Sequence, residues 1–292
     1  MENCLIKMKE SLDSLPKKEN VLAKFILDNV QEVASMTITE LAKASKSSAA
    51  TIVRYTKFLG FSGYRDFTKS LFSEAQNKQR YPENVRDLEN ISEDDSSIEA
   101  TIQRVSRGNI AAIENSLKVV NPKDIETAVN KLDNAGKIYF YAIGGSVIAA
   151  KDAVFKFQRI GIECQAFDSV HDQILSASIL TKSDVAFYIS YSGESKDLIK
   201  SLKIAKENKA YTIGMTKYSD NTLSKLVDLT IRHAAVSEGI RTNSTKSRIA
   251  QLNIIDILFT RLAERRVDKL ERFYKLTNDV FLGDKDLIKG NK

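Results

Sequence analysis

Residues 187 to 197 read Phe-Tyr-Ile-Ser-Tyr-Ser-Gly-Glu-Ser-Lys-Asp. The apolar run from Val185 to Ile189 predicts a strand. Ser190, Ser192, Gly193 and Ser195 predict a hydroxyl-rich turn. Glu194-Ser195-Lys196-Asp197 then opens a helical pattern with Leu198, Ile199, Leu202 and Ile204. The first N–H groups of a helix lack internal partners, and its dipole favours negative charge there. Serine hydroxyls add uncharged donors, so the chemistry suits a phosphate, a polyol, or a molecule with both. A second strand–turn–helix, Phe140-Tyr141-Ala142-Ile143-Gly144-Gly145-Ser146, lies upstream. Its glycines let a ligand approach the backbone. A dinucleotide fold needs three spaced glycines and a later acidic residue, and the nucleotidase phosphate loop needs GxxxxGK[ST]. Neither pattern is present, so no NAD or other cofactor is expected.

The elements that must position these loops follow from periodicity. The chain has 292 residues, enough for two domains, with 28% charged and 42% hydrophobic residues. No apolar run reaches the roughly 18 residues of a membrane span. Met1 to Glu10 lacks the apolar core of a signal peptide. Two cysteines, Cys4 and Cys164, and two histidines, His171 and His233, give no metal-ligand spacing. A reducing cytoplasm, no membrane partner and no metal are the expectations.

Residues 1–76 read as all-helical. Val21, Leu22, Phe25, Ile26 and Val30 share one face, and Pro16 suits a helix start. A short helix is expected over Thr39 to Ala44, with Leu41 and Ala42 inward. Ser45-Lys46-Ser47 reads as a turn, and Ser48 as the N-cap of a helix over Ala49 to Leu59 that ends at Gly60. A further helix begins after Ser62-Gly63. Residues 77–97 read as an acidic linker. Residues 98–267 alternate helices and strands, with strands expected over Lys137–Ala142, Glu163–Phe167, Asp184–Ile189, Tyr211–Met215 and Asp228–Ile231. This predicts an α/β domain, a parallel five-stranded sheet in an αβα sandwich. Residues 268–292 read as a C-terminal helix and polar tail. Phe155, Phe157 and Phe167 read as core, and His233 as structural.

Net charge is +6, and much of it is local. Lys43, Lys46, Arg54, Lys57, Arg65 and Lys69 face only Asp66 between residues 43 and 69. Two short helices and a tight turn form a helix-turn-helix, whose second helix enters a major groove. Ser47, Ser48 and Thr51 are then candidate phosphate or base contacts. Arg54 fits either role, and Lys46 and Lys57 complete the basic set. Ile52 and Val53 are expected to pack inward. A helical bundle with a solvated basic face is the alternative.

This segment resembles the helix-turn-helix domain of the RpiR (MurR-like) family of bacterial regulators. Thr39-Glu40-Leu41-Ala42, Ala50-Thr51-Ile52-Val53-Arg54-Tyr55 and Leu59-Gly60-Phe61-Ser62-Gly63-Tyr64 carry the resemblance. Lys46 stands where the family often has a turn glycine. If that position needs positive φ, lysine costs about 1 kcal/mol. The later half resembles the SIS (sugar isomerase) domain through Ser190-Tyr191-Ser192-Gly193-Glu194-Ser195 and Ser247-Arg248-Ile249-Ala250-Gln251-Leu252. The resemblance implies that Ser146 and Ser190 contact a sugar phosphate, with Ser192 and Ser195 around the phosphate; Gly145 and Gly193 complete the expected effector-binding set. Sugar isomerases of this fold need a base and a ring-opening group, for which Glu238 and His171 are candidates. They read equally well as a surface acid and a helix-cap residue. The expectation is a transcriptional regulator, not an enzyme, with operator DNA and a phosphorylated sugar as partners and a homodimer or homotetramer as assembly. An isomerase with an accessory helical domain is the alternative.

Overall fold

The computed structural model describes residues 4–12, 15–78, 97–234 and 243–276. The chain divides into two units. One comprises Met1–Val119 with Ala234–Lys246, the other Val120–His233 with Ser247–Lys292. Most of the expected acidic linker and all of the polar tail lie outside the described residues.

The first unit begins with helices α1 (Cys4–Ser11), α2 (Lys17–Asp28), α3 (Val30–Val33), α4 (Ile38–Ala44), α5 (Ala49–Phe58) and α6 (Tyr64–Lys78). Leu22, Ile26, Leu41, Ile52, Tyr55, Phe67 and Leu71 form a fully buried core among them. Ala42 and Val53 are only half-buried. A capping box between Thr37 and Glu40 starts α4. At its end Ser47 N donates to Ala42 O at 3.0 Å and Lys46 N to Lys43 O, with Lys46 at φ 51°. This is a Schellman stop, and it places lysine in the left-handed region that glycine favours. α5 ends the same way, with Gly60 at φ 89°. The unit continues into α7 (Ile98–Val119).

The second unit carries α8 (Pro122–Asp133), β1 (Ile138–Ala142), α9 (Val147–Gln158), β2 (Cys164–Ala166), α10 (Val170–Ser178), β3 (Val185–Ile189), α11 (Lys196–Glu207), β4 (Tyr211–Lys217), α12 (Thr222–Leu226), β5 (Leu229–His233) and most of α13 (Asn243–Arg265). The strands form one parallel sheet in the order β2-β1-β3-β4-β5. Phe140, Phe187, Ile213 and Ile231 pack on one face against α8, α9 and α13. Tyr141, Ala186 and Tyr188 pack on the other against α10, α11 and α12. Both faces are covered, as a parallel sheet requires.

Three expectations change. Phe155 is not core: it is 62% exposed, because Ala149, Ala150, Ala153 and Phe157 are the buried face of α9. Phe157 is buried and Phe167 half-buried. The helix that periodicity predicts over Gln173 to Leu180 is α10, Val170–Ser178, which begins earlier because Ser169 caps it. α12 was not foreseen.

Candidate functional site

β1 and β3 are neighbours, with Ala142 opposite Ile189. The chain leaves β1 for α9 on one face and leaves β3 for α11 on the other. The crevice beyond the carboxyl ends of such diverging strands is where open α/β sheets bind ligands. Both serine loops begin there.

Gly144–Ser146 forms a 3₁₀ turn with Gly144 at φ 63°, and Ser146 is the buried N-cap of α9. Its hydroxyl makes no capping bond. Gly145 is exposed. In the second loop Ser190 is buried, and its Oγ accepts from Gly193 N at 3.2 Å. Ser192 is exposed, and its Oγ accepts from Glu194 N at 3.3 Å. Ser195 is the N-cap of α11, again without a side-chain capping bond. Among the described residues neither serine hydroxyl makes a capping bond; the Val147 N–H turns back to Gly144 O and Gly145 O, whereas the first N–H groups of α11 have no partner within that helix.

The second loop is fastened by residues the sequence reading did not select. Gly193 has φ 68°, and a Cβ there would lie 2.0 Å from Asn221 Oδ1. Asn221 is buried and held by Thr216 Oγ1 and Ser219 O, each 3.0 Å from its Nδ2, while its Oδ1 accepts from Ser224 N. Leu223 N donates to Gly193 O at 2.9 Å. Thr222 donates its N–H (2.9 Å) and hydroxyl (2.6 Å) to Glu194. Those bonds hold the Glu194 carboxyl below its ordinary range. They also draw the negative charge toward α12. The available signal was the Asn-x-x-Ser cap pattern over Asn221 to Ser224. Gln173 was also passed over. It is buried, and its Nε2 donates to Ala142 O (2.8 Å) and Phe167 O (3.0 Å), tying α10 to the end of β1.

His171 is exposed on the first turn of α10 and is not the cap, which is Ser169. Glu238 lies outside the described residues. His233 ends β5, fully buried, and among the described residues neither ring nitrogen has a hydrogen-bond partner. Its ring lies 5.8 Å from that of Tyr191 in the serine loop. Burial pushes its pKa down to about 4, so it is neutral near pH 7.

In the first unit, Ser48 caps α5 as expected. Its Oγ accepts from Thr51 N at 3.1 Å and bonds Thr51 Oγ1 at 2.9 Å. Ser47 is half-buried and donates to Ser45 O at 3.4 Å. Lys46 and Lys57 are exposed. Arg54 has a partner that the sequence did not announce. Its Nε donates to Glu19 Oε1 at 2.9 Å, and a terminal nitrogen donates to the same oxygen.

The SIS domain family matches residues 131–261 and the helix-turn-helix domain of the rpiR family matches residues 2–78. An HTH-type transcriptional regulator of Caldanaerobacter subterraneus is 35% identical over 96% of this chain and 97% of its own. The HTH-type transcriptional regulator HexR of Pseudomonas aeruginosa is 29% identical over 91% of each. The solved structure of Vibrio vulnificus NanR complexed with ManNAc-6P shares the fold at TM-score 0.58 and 22% identity, covering 95% of this chain and 99% of that one. With its helix-turn-helix half and its SIS half each matched, the chain belongs to the RpiR family of HTH-type transcriptional regulators.

Proposed function

We propose that a phosphorylated sugar binds in the crevice between Gly145-Ser146 and Ser190–Ser195, and that its occupancy changes the affinity of the helix-turn-helix for operator DNA. The observation that carries this reading is the pair of serine loops on adjacent strands at the point where the sheet's connections diverge. Serine hydroxyls without capping bonds at the starts of α9 and α11, and the first N–H groups of α11, match a phosphate, and the remaining hydroxyls match a polyol. NanR, of the same fold, is solved with ManNAc-6P, which makes phosphosugars the class to test first. Ser47, Ser48, Thr51, Arg54, Lys46 and Lys57 form the DNA-facing set. A homodimer or homotetramer matches two-fold operators. The reading assigns no catalytic residue and places the protein in the cytoplasm. Among the described residues no helix is long and apolar enough to cross a membrane.

The test is a thermal-shift screen of the full chain against phosphosugars. A ligand at 100 times its Kd adds about 2.7 kcal/mol of stability. Ser190→Ala is expected to abolish the shift; an undiminished shift places the ligand elsewhere. A coupled isomerase assay on the ligand found is expected to show no turnover.

A further inference from the structure

The ion pair between α2 and α5 bears on what Arg54 does. Glu19 stands in the first turn of α2, and its side chain is only 8% exposed, whereas that of Arg54 is 67% exposed. Arg54 Nε and one terminal nitrogen both donate to Glu19 Oε1. One edge of the guanidinium is therefore occupied, and its other N–H groups have no partner among the described residues. Arg54's bonds hold the Glu19 carboxyl below its ordinary range, so the pair is charged within and neutral overall.

That neutrality separates the two roles open to Arg54. Phosphate contacts gain affinity by replacing counterions, which rewards uncompensated positive charge. Lys43, Lys46 and Lys57 are exposed lysines on α4, the turn and α5 that can supply it. Base edges reward a donor fork in a fixed orientation, as in the bidentate contact to guanine O6 and N7. A long arginine side chain has that orientation only when something behind it restricts its rotamers. We infer that Glu19 is a positioning residue that presents Arg54 as a base-reading fork, and that Arg54 is not a phosphate anchor. The inference rests on the DNA-binding reading above and deepens it.

The experiment uses the full chain and a duplex enriched from a random-sequence pool by the wild type. Affinities are then measured for every single-base-pair variant of that duplex and across a salt series. Arg54→Gln and Glu19→Gln should each reduce the preference at the same base pair of a half-site by about tenfold, leaving other positions intact. A merely structural Glu19 would not select one position. Arg54→Gln should leave the slope of log affinity against log salt unchanged, whereas Lys57→Gln should reduce it by about one per subunit. Arg54→Lys keeps the charge and loses the fork, so it should lose the same preference; this arm decides the matter if Glu19→Gln does not fold. Uniform weakening with a reduced slope for Arg54→Gln overturns the inference. So does a folded Glu19→Gln, or an Arg54→Lys, that keeps full preference. If the wild type enriches no sequence, the DNA-binding reading fails and this inference falls with it.

Discussion

Lys46 and Gly60 occupy equivalent stop positions at the ends of α4 and α5, both with positive φ. Glycine adopts that conformation freely, whereas lysine is strained by about 1 kcal/mol. Lys46→Gly should therefore raise unfolding stability by up to about 1 kcal/mol, read as a higher urea midpoint. Gly193 is the opposite case. Gly193→Ala adds left-handed strain of about 1–2 kcal/mol and drives a Cβ into the anchored Asn221 side chain. It should lower stability by more than about 1 kcal/mol and remove the phosphosugar thermal shift. His233 sets a pH dependence. Its folded pKa, about 4, lies below the ordinary 6.5 because burial disfavours the charged ring. The neutral ring's contribution is thus complete above pH 6.5 and is lost as pH falls toward 4. The loss is about 3 kcal/mol at most. Urea midpoints between pH 7 and 4 should show this fall, and His233→Phe should flatten it.

At the scale of elements, the fold was legible where local chemistry repeats. The strands were found from apolar runs, and the starts of α5 and α11 from Ser48 and the Ser190–Ser195 turn. What escaped was set by distant pairing. α12 has five residues, too few to show a helical period. The bonds between Glu194 and Thr222 join positions 28 residues apart that no local pattern links. Phe155 was misplaced because residue type does not say which face of α9 meets the sheet. The serines of the candidate site and Glu194 beside them were visible, and Asn221 carried a local cap signal, but the pairing of Glu194 with Thr222 and the packing of Asn221 on Gly193 were not. Glu194→Ala tests that fastening. It removes two bonds to the start of α12, and the phosphosugar-induced thermal shift should shrink while the unliganded melting temperature changes little. An unchanged shift would show that the loop holds its shape without the clamp.

At the scale of the whole chain, an effector alters DNA binding only through differential affinity for two states of the protein. The coupling is reciprocal: a sugar that weakens operator binding by some factor must itself bind more weakly, by the same factor, when operator is present. The most direct measurement is operator affinity of the full chain, by fluorescence anisotropy, with and without a saturating phosphosugar, for the wild type and Ser190→Ala. The wild type should change affinity by at least about fivefold, and Ser190→Ala should bind operator normally with no response. A wild type that does not respond under saturation, or a variant that responds as fully as the wild type, would contradict the claim that the serine crevice reports to DNA.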